Sequence, residues 1–391
     1  MSSTLPHSPS YCHSTKQRYD DGVTPRTEPV IIVGGGQSGL AAARAAVAVG
    51  LRPVVLEAGA EPVGSWPDYY DSLTLFSPAR YSSLPGMPFA GADPDRYPTR
   101  DEVVAYLRRY AGSIDADIRT GVRVTEVQPH PGGGYLVRTA TGDEFAAPGV
   151  VAASGSFNNP YLPTLPGQDD YDGEVGHVAH YRRPEPYAGK RVVVVGAGNS
   201  AVQVAHELAS HARVTLTTRA PIQFVPQRIR GRDLHHWLRV TGADRLPRSV
   251  LTRLVRHAAV LDTGVYRDAI ATGLLARREM FTAFSPDGVV WADGSREQVD
   301  AVIFATGYRP HLDYLAPLGT LERGMPRQAG GISATHPGLV YVGLEFQRSF
   351  SSNTLRGVGR DATHVVTALA AGMSGGTRGR SGLTRRVSAP R

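Results

Sequence analysis

Cysteine is almost absent from this chain of 391 residues. The single one, Cys12, lies in a polar segment near the N-terminus. One cysteine excludes an intramolecular disulfide and also the cysteine pair on which disulfide reductases depend. The scarcity fits a reducing compartment, so we expect a cytoplasmic location. No run of about eighteen apolar residues occurs, and the sequence therefore predicts no membrane span.

Net charge is also small outside the chain ends. Residues 1–28 are rich in polar and turn-forming types and lack the pattern of a secretion signal, so we predict a disordered lead. Residues 373–391 carry five arginines and no acid among glycines and serines, which predicts a disordered basic tail. Most of the formal net charge of +7 lies in that tail. The folded body therefore lacks the basic surface of a nucleic-acid-binding protein, and we expect no nucleic-acid partner.

Two segments of the chain follow the same pattern. Residues 29–59 and 191–220 each contain an apolar, β-branched run, a glycine turn, an alanine-rich helical pattern and a second apolar run. This order predicts the opening βαβ unit of a dinucleotide-binding fold. A single glycine turn is weak evidence, whereas two in the same context are specific. The predicted fold class is therefore α/β, with two Rossmann-like dinucleotide-binding domains.

The first glycine turn has the spacing that a pyrophosphate site requires. Gly34 permits the tight turn, Gly36 leaves room for the pyrophosphate, and Gly39 allows the helix to pack closely on the strand. Glu57 follows 23 positions after Gly34. A carboxylate there accepts hydrogen bonds from a ribose diol and repels a 2′-phosphate, which predicts FAD or NAD rather than NADP. The predicted contacts are Gly34, Gly36, Gln37, Ser38, Gly39 and Glu57.

The second turn differs at the position that selects the nucleotide. Gly196 and Gly198 repeat the turn, and Ala201 takes the third place. The residue 23 positions after Gly196 is Arg219, whose guanidinium can bind a phosphate through two hydrogen bonds. We therefore predict NADPH at this site. The predicted residues are Gly196, Gly198, Asn199, Ser200, Ala201, Thr218 and Arg219, with Thr217 as a further hydroxyl contact.

Further segments resemble those of one enzyme family. GSWPDYYDSLTLFSPARYSSLPGMPF (64–89) is similar to a G-x-W segment that lies along the flavin, and DAVIFATGY (300–308) is similar to an A-T-G-Y signature. Residues 338–366 resemble a closing strand and helix. On these segments the chain resembles the class B flavin-containing monooxygenases, most closely their plant auxin-forming branch and its bacterial relatives. The resemblance covers nearly all of the predicted folded part and implies FAD and NADPH as cofactors.

Two aromatic residues of these segments keep a second interpretation. The resemblance implies that Trp66 contacts the flavin, although an isolated tryptophan is more often a core residue. Tyr308 ends the second signature and is equally compatible with simple packing beside a strand end. The signature residues are Ala305, Thr306, Gly307 and Tyr308.

The stretch YDGEVGHVAHY contains His177 and His180, three positions apart. We predict no metal there, because no further ligand at suitable spacing accompanies them. The stretch resembles the family pattern F-x-G-x-x-x-H-x-x-x-(Y/F), in which Gly173, His177 and Tyr181 match and Tyr171 replaces the first aromatic. We predict a packed joint between the two nucleotide-binding domains.

The resemblance implies a glutathione-reductase-like architecture, in which the NADPH domain is inserted into the FAD domain. The predicted division is a lead (1–28), the first part of the FAD domain (29–164), the NADPH domain (165–298), the second part of the FAD domain (299–372) and a tail (373–391). Within the first part, YPTRDEVVAYLRRYA predicts a helix that begins with a capping box of Thr99 and Glu102.

The resemblance also implies the reaction. NADPH reduces FAD, and the reduced flavin reacts with O2 to form a C4a-(hydro)peroxide that oxygenates a small organic substrate. Because the cofactor supplies this chemistry, the catalytic side chains stay unassigned. The segment LTLFSPARY (73–81) replaces the asparagine that other members place near the flavin. Oxygenation at an N or S centre and attack on a 2-oxo acid or another carbonyl therefore both stay open.

Two other functions compete with this one. The first is a Baeyer–Villiger monooxygenase acting on a ketone, although the related stretch in that group ends in Trp-Pro and here Tyr181 is followed by Arg182. The second is a redox sensor or accessory protein that binds FAD and NADPH without turnover. We expect a small-molecule substrate and O2 as partners and allow for a homodimer. His235 and His236 are neighbours, which makes them a poor metal pair, and we predict that they lie on the surface.

Overall fold

The computed structural model describes residues 29–246, 250 and 259–378, with side chains as far as residue 374. The predicted lead with Cys12, and residues 379–391 of the predicted tail, lie outside the described residues. The described helices include α1 (Gln37–Ala48), α2 (Arg100–Gly112), α3 (Asn199–Leu208), α4 (Leu234–Val240), α5 (Val265–Ala271) and α6 (Leu355–Arg378). Because α6 continues to Arg378, the prediction of disorder is wrong for residues 373–378.

The strands form two principal sheets and several small ones. They are β1 (Val30–Val33), β2 (Pro53–Leu56), β3 (Asp117–Arg119), β4 (Val124–Pro129), β5 (Tyr135–Thr139), β6 (Glu144–Ala147), β7 (Val150–Ala152), β8 (Glu174–His177), β9 (Arg191–Val195), β10 (Arg213–Thr218), β11 (Gln223–Pro226), β12 (Arg228–Ile229), β13 (Arg232–Asp233), β14 (Ala259–Asp262), β15 (Ala276–Glu279), β16 (Ala283–Ser285), β17 (Gly288–Val290), β18 (Arg296–Gln298), β19 (Ala301–Phe304), β20 (Leu321–Glu322), β21 (Met325–Pro326), β22 (Gln328–Ala329), β23 (Ile332–Ser333) and β24 (Leu339–Tyr341). The small sheets include the antiparallel sets β4-β5-β6 and β16-β17-β18.

The first principal sheet has the strand order β22-β23-β24-β7-β1-β2-β3. Its strands from β24 to β3 run parallel, and all four residues of β1 are buried, as expected where a strand is covered on both faces. Helices α1, α2 and α6 pack on one face. The sheet β4-β5-β6 and the segment 312–318 cover the other face.

The second principal sheet has the order β15-β10-β9-β19-β8 and is parallel throughout. The chain leaves the first sheet after β7 and rejoins it at β22, so the second sheet is inserted into the first. These two sheets, the first mainly parallel and the second entirely so, confirm with their helices the predicted α/β fold with two Rossmann-like units.

One predicted boundary is wrong. Residues 299–372 were assigned to the FAD domain, but β19 lies in the second sheet between β9 and β8. The physical reason is burial. All four residues of β19 are apolar and buried, and a position between β9 and β8 in the second sheet covers them. The chain crosses back to the first unit after Phe304. The division of the remaining chain into functional domains stays a prediction.

The local prediction for α2 is confirmed. The Glu102 amide donates to Thr99 Oγ1 at 3.3 Å, and the Thr99 amide donates to the Glu102 carboxylate at 2.9 Å, which completes the capping box. Among the described residues, no helix is both long and apolar enough to cross a membrane.

Candidate functional site

The first glycine turn is tightly surrounded by backbone. Gly34 has a φ of +103°, and a Cβ atom there would lie 2.7 Å from the Ala153 carbonyl oxygen at the end of β7. A Cβ atom on Gly39 would overlap the carbonyl oxygen of Gly34, so α1 packs on β1 as predicted. Gly36 faces Gly64, whose Cα atom would lie 3.4 Å from an added Cβ. The turn is therefore a cradle with room for a ligand but not for side chains.

Glu57 is fixed beside this turn. Its carboxylate is buried and accepts hydrogen bonds from the amides of Gly35 at 2.5 Å and Gly59 at 2.6 Å. Both oxygens keep a lone pair beyond these bonds, so they can still accept from a ribose diol. The orientation of the predicted ribose contact is thus set by the backbone that follows β1 and β2.

Trp66 is joined to the same turn through Gln37. The Trp66 Nε1 atom donates to Gln37 Oε1 at 2.5 Å, and Gln37 Nε2 donates to the Asn353 carbonyl oxygen at 3.0 Å. Most of the predicted residues of the first unit line one cavity, which also includes Asn353: they are Gly34, Gly36, Gln37, Ser38, Glu57 and Trp66. Gly39 lies behind the cavity, in the contact between α1 and β1. Trp66 is therefore a cavity residue as well as a partner of the adjacent core.

The second turn repeats the geometry of the first. Gly196 has a φ of +149°, and a Cβ atom there would lie 2.5 Å from the Ala305 carbonyl oxygen, at the end of the neighbouring strand. Ala201 takes the place that Gly39 has in the first unit, and its Cβ atom lies 3.1 Å from a Cβ atom built on Gly196. Asn199 opens α3, and its side-chain oxygen accepts from the Leu261 amide at 3.1 Å. Gly198 and Ser200 are half-buried beside the turn.

The end of β10 carries the residues predicted to select NADPH. Arg219 is exposed there, and the Thr218 hydroxyl accepts from Arg277 Nε at 3.0 Å and Nη2 at 2.7 Å. Thr217 differs from the prediction, because its buried hydroxyl donates to the Glu279 carbonyl oxygen at 2.9 Å. Arg277 was missed, since its place beside Thr218 depends on the pairing of β15 with β10. The site thus has two arginines on adjacent strands.

His177 lies buried at the end of β8. Its Nδ1 atom accepts from the Ala179 amide at 3.1 Å, and its ring meets the Tyr308 ring edge-on at 5.1 Å. Among the described residues, Nε2 of this buried ring has no hydrogen-bond partner. Burial lowers the pKa of His177 to about 4, so the ring is neutral at physiological pH.

A line of aromatic rings connects His177 with the cavity of the first unit. Tyr308 lies 4.9 Å from Phe157, Phe157 lies 5.2 Å from Tyr69, and Tyr69 lies 5.4 Å from Trp66, measured between ring centroids. Tyr69, Phe157 and Trp66 all line the cavity. No sequence pattern indicated Phe157, which lies in the irregular crossover. This line of rings occupies the predicted joint between the two units.

The rest of the 171–181 stretch fixes the joint from the side of the second sheet. Tyr181 is buried, donates to the Glu207 carboxylate at 2.8 Å and packs 6.1 Å from the ring of Tyr70. The Tyr171 hydroxyl donates to the Val299 carbonyl oxygen at 2.8 Å. A Cβ atom on Gly173 would overlap that hydroxyl, which explains the glycine.

The A-T-G-Y signature forms the return crossing. The Thr306 hydroxyl donates to the Tyr161 carbonyl oxygen at 2.5 Å, and the Tyr161 amide donates to the Gly307 carbonyl oxygen at 3.0 Å. Ala305 contacts the second glycine turn, and Tyr308 forms a bridge with Pro160. The outgoing and returning segments between the two sheets are therefore hydrogen-bonded to each other.

The remaining histidines do not form a metal site in the described residues, where no three His, Cys, Asp or Glu side chains are grouped as ligands. His180 is exposed. The prediction of surface placement is wrong for His235, which is buried. His236, the next residue, is half-buried. The Nδ1 atom of His235 lies 2.7 Å from the Asp233 carboxylate, and its ring stacks on Phe76 at 5.9 Å. Phe76 is far from His235 along the chain, so the sequence pattern could not predict this contact.

Comparisons with known proteins agree with this architecture. The family described as pyridine nucleotide-disulphide oxidoreductase matches residues 31–339. Indole-3-pyruvate monooxygenase YUCCA1 of Oryza sativa subsp. japonica is 32% identical over 314 residues, covering 72% of this chain and 77% of the rice protein. The uncharacterized oxidoreductase CzcO-like of Geobacillus kaustophilus is 31% identical over 306 residues, covering 77% and 86% of the two chains. Flavin-containing monooxygenase from Stenotrophomonas maltophilia has a structure that matches with a TM-score of 0.75 and 34% identity, covering 88% of this chain and 98% of that one.

The matches span most of the chain, and they include the segments that carry both glycine turns. Flavin monooxygenases of this family use FAD and NADPH. The chain accordingly belongs to the class B flavin monooxygenases, within the pyridine nucleotide-disulphide oxidoreductase family, and is an FAD-dependent monooxygenase.

Proposed function

We propose that this protein uses NADPH to reduce FAD and oxygenates a small 2-oxo acid at its carbonyl carbon. The observation that carries the proposal is the line of rings that runs from the cavity beside the first glycine turn to His177 in the second sheet, because it supports a close approach of the two predicted nucleotide sites. The substrate class is supported by the rice relative, whose name specifies indole-3-pyruvate. An N or S centre is the alternative target, and the oxygenated product separates the two.

The first cavity has the features that FAD requires. The glycine turn of Gly34 and Gly36 lacks side chains and offers backbone amides at the N-terminus of α1 to the pyrophosphate. The Glu57 carboxylate faces the ribose, and Gln37 holds the Trp66 indole in the cavity wall. When bound, FAD supplies the redox and oxygen chemistry, while these residues bind and orient it. The rings around the cavity limit the access of water.

The second unit has the charge that NADPH requires. Arg219 is exposed at the end of β10, and Arg277 is held by two hydrogen bonds to Thr218, the residue that precedes Arg219. Two guanidinium groups there favour a 2′-phosphate over the free hydroxyl of NADH. Arg277, which was absent from the predicted set, is therefore assigned to the same contact.

Substitution of Arg219 tests this assignment. In Arg219→Gln we expect the KM for NADPH to rise about tenfold, since a hydrogen-bonded charge pair is lost, while the KM for NADH changes little. Arg213 lies at the other end of β10, is exposed and has no side-chain partner among the described residues. Arg213→Gln therefore serves as the control, and equal changes in the two variants would contradict the role of Arg219.

The proposed activity is tested first by flavin reduction under anaerobic conditions and then by turnover in the presence of O2. We expect NADPH to bleach the bound FAD under anaerobic conditions, and O2 with indole-3-pyruvate to yield a product that carries an oxygen atom from O2. Absence of bleaching would contradict reduction by NADPH, as expected for a nucleotide-binding sensor. Conversion of a ketone to an ester in preference to turnover of the 2-oxo acid would identify a Baeyer–Villiger enzyme.

A further inference from the structure

A second cavity lies at the seam between the start of α6 and the segment 235–245 of the inserted region. It has a volume of about 230 Å³ and shares none of its lining residues with the FAD cavity. Its wall contains one carboxylate, that of Asp244. Five arginines surround it, and they define what we call the arginine cavity: Arg80, Arg239, Arg245, Arg356 and Arg360.

The carboxylates present do not balance these charges. Asp244 is shared by Arg356 at 2.9 Å and Arg360 at 3.3 Å, and it can neutralise only one of them. Arg80 pairs with Asp95 outside the wall, at 2.9 Å. The remaining two, Arg239 and Arg245, have no carboxylate partner in the part of the chain that the structure describes. The arginine cavity therefore carries a clear excess of positive charge.

Arg356 lies in the wall of the arginine cavity and has one unpaired hydrogen-bond donor. Its side chain is 11% exposed, and its Nη1 atom is buried without a hydrogen-bond partner among the described residues. An unpaired donor of a charged group is costly when buried. Arg356 also lies in the first turn of α6, where the helix dipole already makes the potential positive. An anion bound in the cavity would offset this positive potential.

We propose that the arginine cavity binds the oxyanion group of a small anionic molecule, either a carboxylate or a phosphate. Arg356 contributes its charge to the wall, and Arg239 and Arg245 contribute exposed guanidinium groups. Tyr81 and Ser83 add hydroxyl groups to the wall. The wall comes from both the first unit and the inserted region, so the anion would connect the two across the seam.

Two sources of the oxyanion have the same chemistry. Arg356 follows Asn353, a residue of the FAD cavity, by three positions, so the group could be the carboxylate of the oxygenated substrate. It could also belong to a separate anion that holds the seam closed. The anion site itself does not depend on the proposed function, and the two sources differ in steady-state kinetics.

Binding is tested on the holoenzyme with FAD, saturated with NADP⁺ so that the nucleotide phosphate sites are filled. We expect calorimetric titration with inorganic phosphate, and separately with pyruvate, at constant ionic strength, to show saturable binding at one site for at least one of the two ions. Arg239→Gln and Arg245→Gln should each weaken that binding about tenfold, because each removes one charge-assisted contact. Arg356 is left intact, because its loss would leave Asp244 buried with less compensation.

The control is Arg213→Gln, which removes an exposed arginine on β10, outside the lining of the arginine cavity. It should bind the ions as the wild type does. Absence of saturable binding of both ions in the wild type, or equal affinities in all variants, would overturn the proposal.

Steady-state kinetics with indole-3-pyruvate distinguish the two sources of the anion. Competition by phosphate, together with a raised KM and an unchanged kcat in Arg245→Gln, assigns the cavity to the carboxylate of the substrate. Phosphate binding without any change in KM assigns it to a separate anion. Both results support the anion site. A protein that binds phosphate here but is not reduced by NADPH refutes only the proposed function.

Discussion

His177 illustrates how one residue can make the joint sensitive to acid. Burial lowers its pKa to about 4, and Nδ1 already accepts a backbone hydrogen bond, so the surroundings favour the neutral ring. In the unfolded chain the pKa returns to about 6.5. Between these two values the unfolded chain binds more protons than the folded protein does. The contribution of His177 to stability is therefore fully present above about pH 6.5 and is lost as the pH falls towards 4.

Thermal unfolding of His177→Asn tests this sign. Asparagine retains a polar side chain that does not titrate, so we expect its melting temperature to fall less than that of the wild type between pH 7 and pH 5. His180→Asn, at an exposed position in the same stretch, should follow the wild type. Parallel curves for the wild type and His177→Asn would show that the ring does not titrate as its burial requires.

At the scale of elements, the contact between α1 and β1 depends on the absence of one side chain. A Cβ atom on Gly39 would overlap the Gly34 carbonyl oxygen, so Gly39→Ala must push the helix away from the strand. Overpacking of this kind typically costs about 1–3 kcal/mol. We expect a lower melting temperature and loss of FAD on dialysis, measured by the flavin absorbance of the retained protein.

The second unit provides the matched control. Gly198 precedes α3 with a φ of −94°, and a Cβ atom there would meet nothing within 4 Å. Gly198→Ala should therefore leave the melting temperature and the FAD content nearly unchanged. If Gly39→Ala retained FAD equally well, the close helix packing would not be needed for the cofactor site.

The same elements show which features the sequence could predict. Both βαβ units are local patterns, because each glycine turn and its flanking apolar runs lie within about thirty residues. The sheet in which β19 lies was not predictable, since a short apolar strand does not specify its partners. Arg277 and Phe157 reach their sites only through pairing and crossing of distant segments. The burial of His235 likewise requires Phe76, which is far away along the chain.

Across the whole molecule, the joint relies on contacts made by both units. The Asp71 amide donates to the Arg182 carbonyl oxygen at 2.9 Å, and the Arg182 guanidinium donates to the Pro67 carbonyl oxygen at 2.7 Å. The Tyr70 hydroxyl donates to Gln203 on α3 at 2.5 Å. These bonds restrain the segment that carries Trp66 against the second unit. Transfer of a hydride between two nucleotides requires this kind of restraint, because a displacement of about 1 Å can cost two orders of magnitude in rate.

His177→Ala tests whether this restraint matters for function. Loss of the ring removes the packing partner of Tyr308 at the end of the line of rings, whereas the residues that line the FAD cavity are unchanged. We therefore expect normal FAD content but flavin reduction by NADPH that is at least tenfold slower, measured by anaerobic stopped-flow absorbance, with weaker retention of NADP⁺. His180→Ala removes an exposed ring from the same stretch and should reduce at the wild-type rate. A His177→Ala protein that matched His180→Ala in both measurements would show that the joint holds the units together without positioning their cofactors.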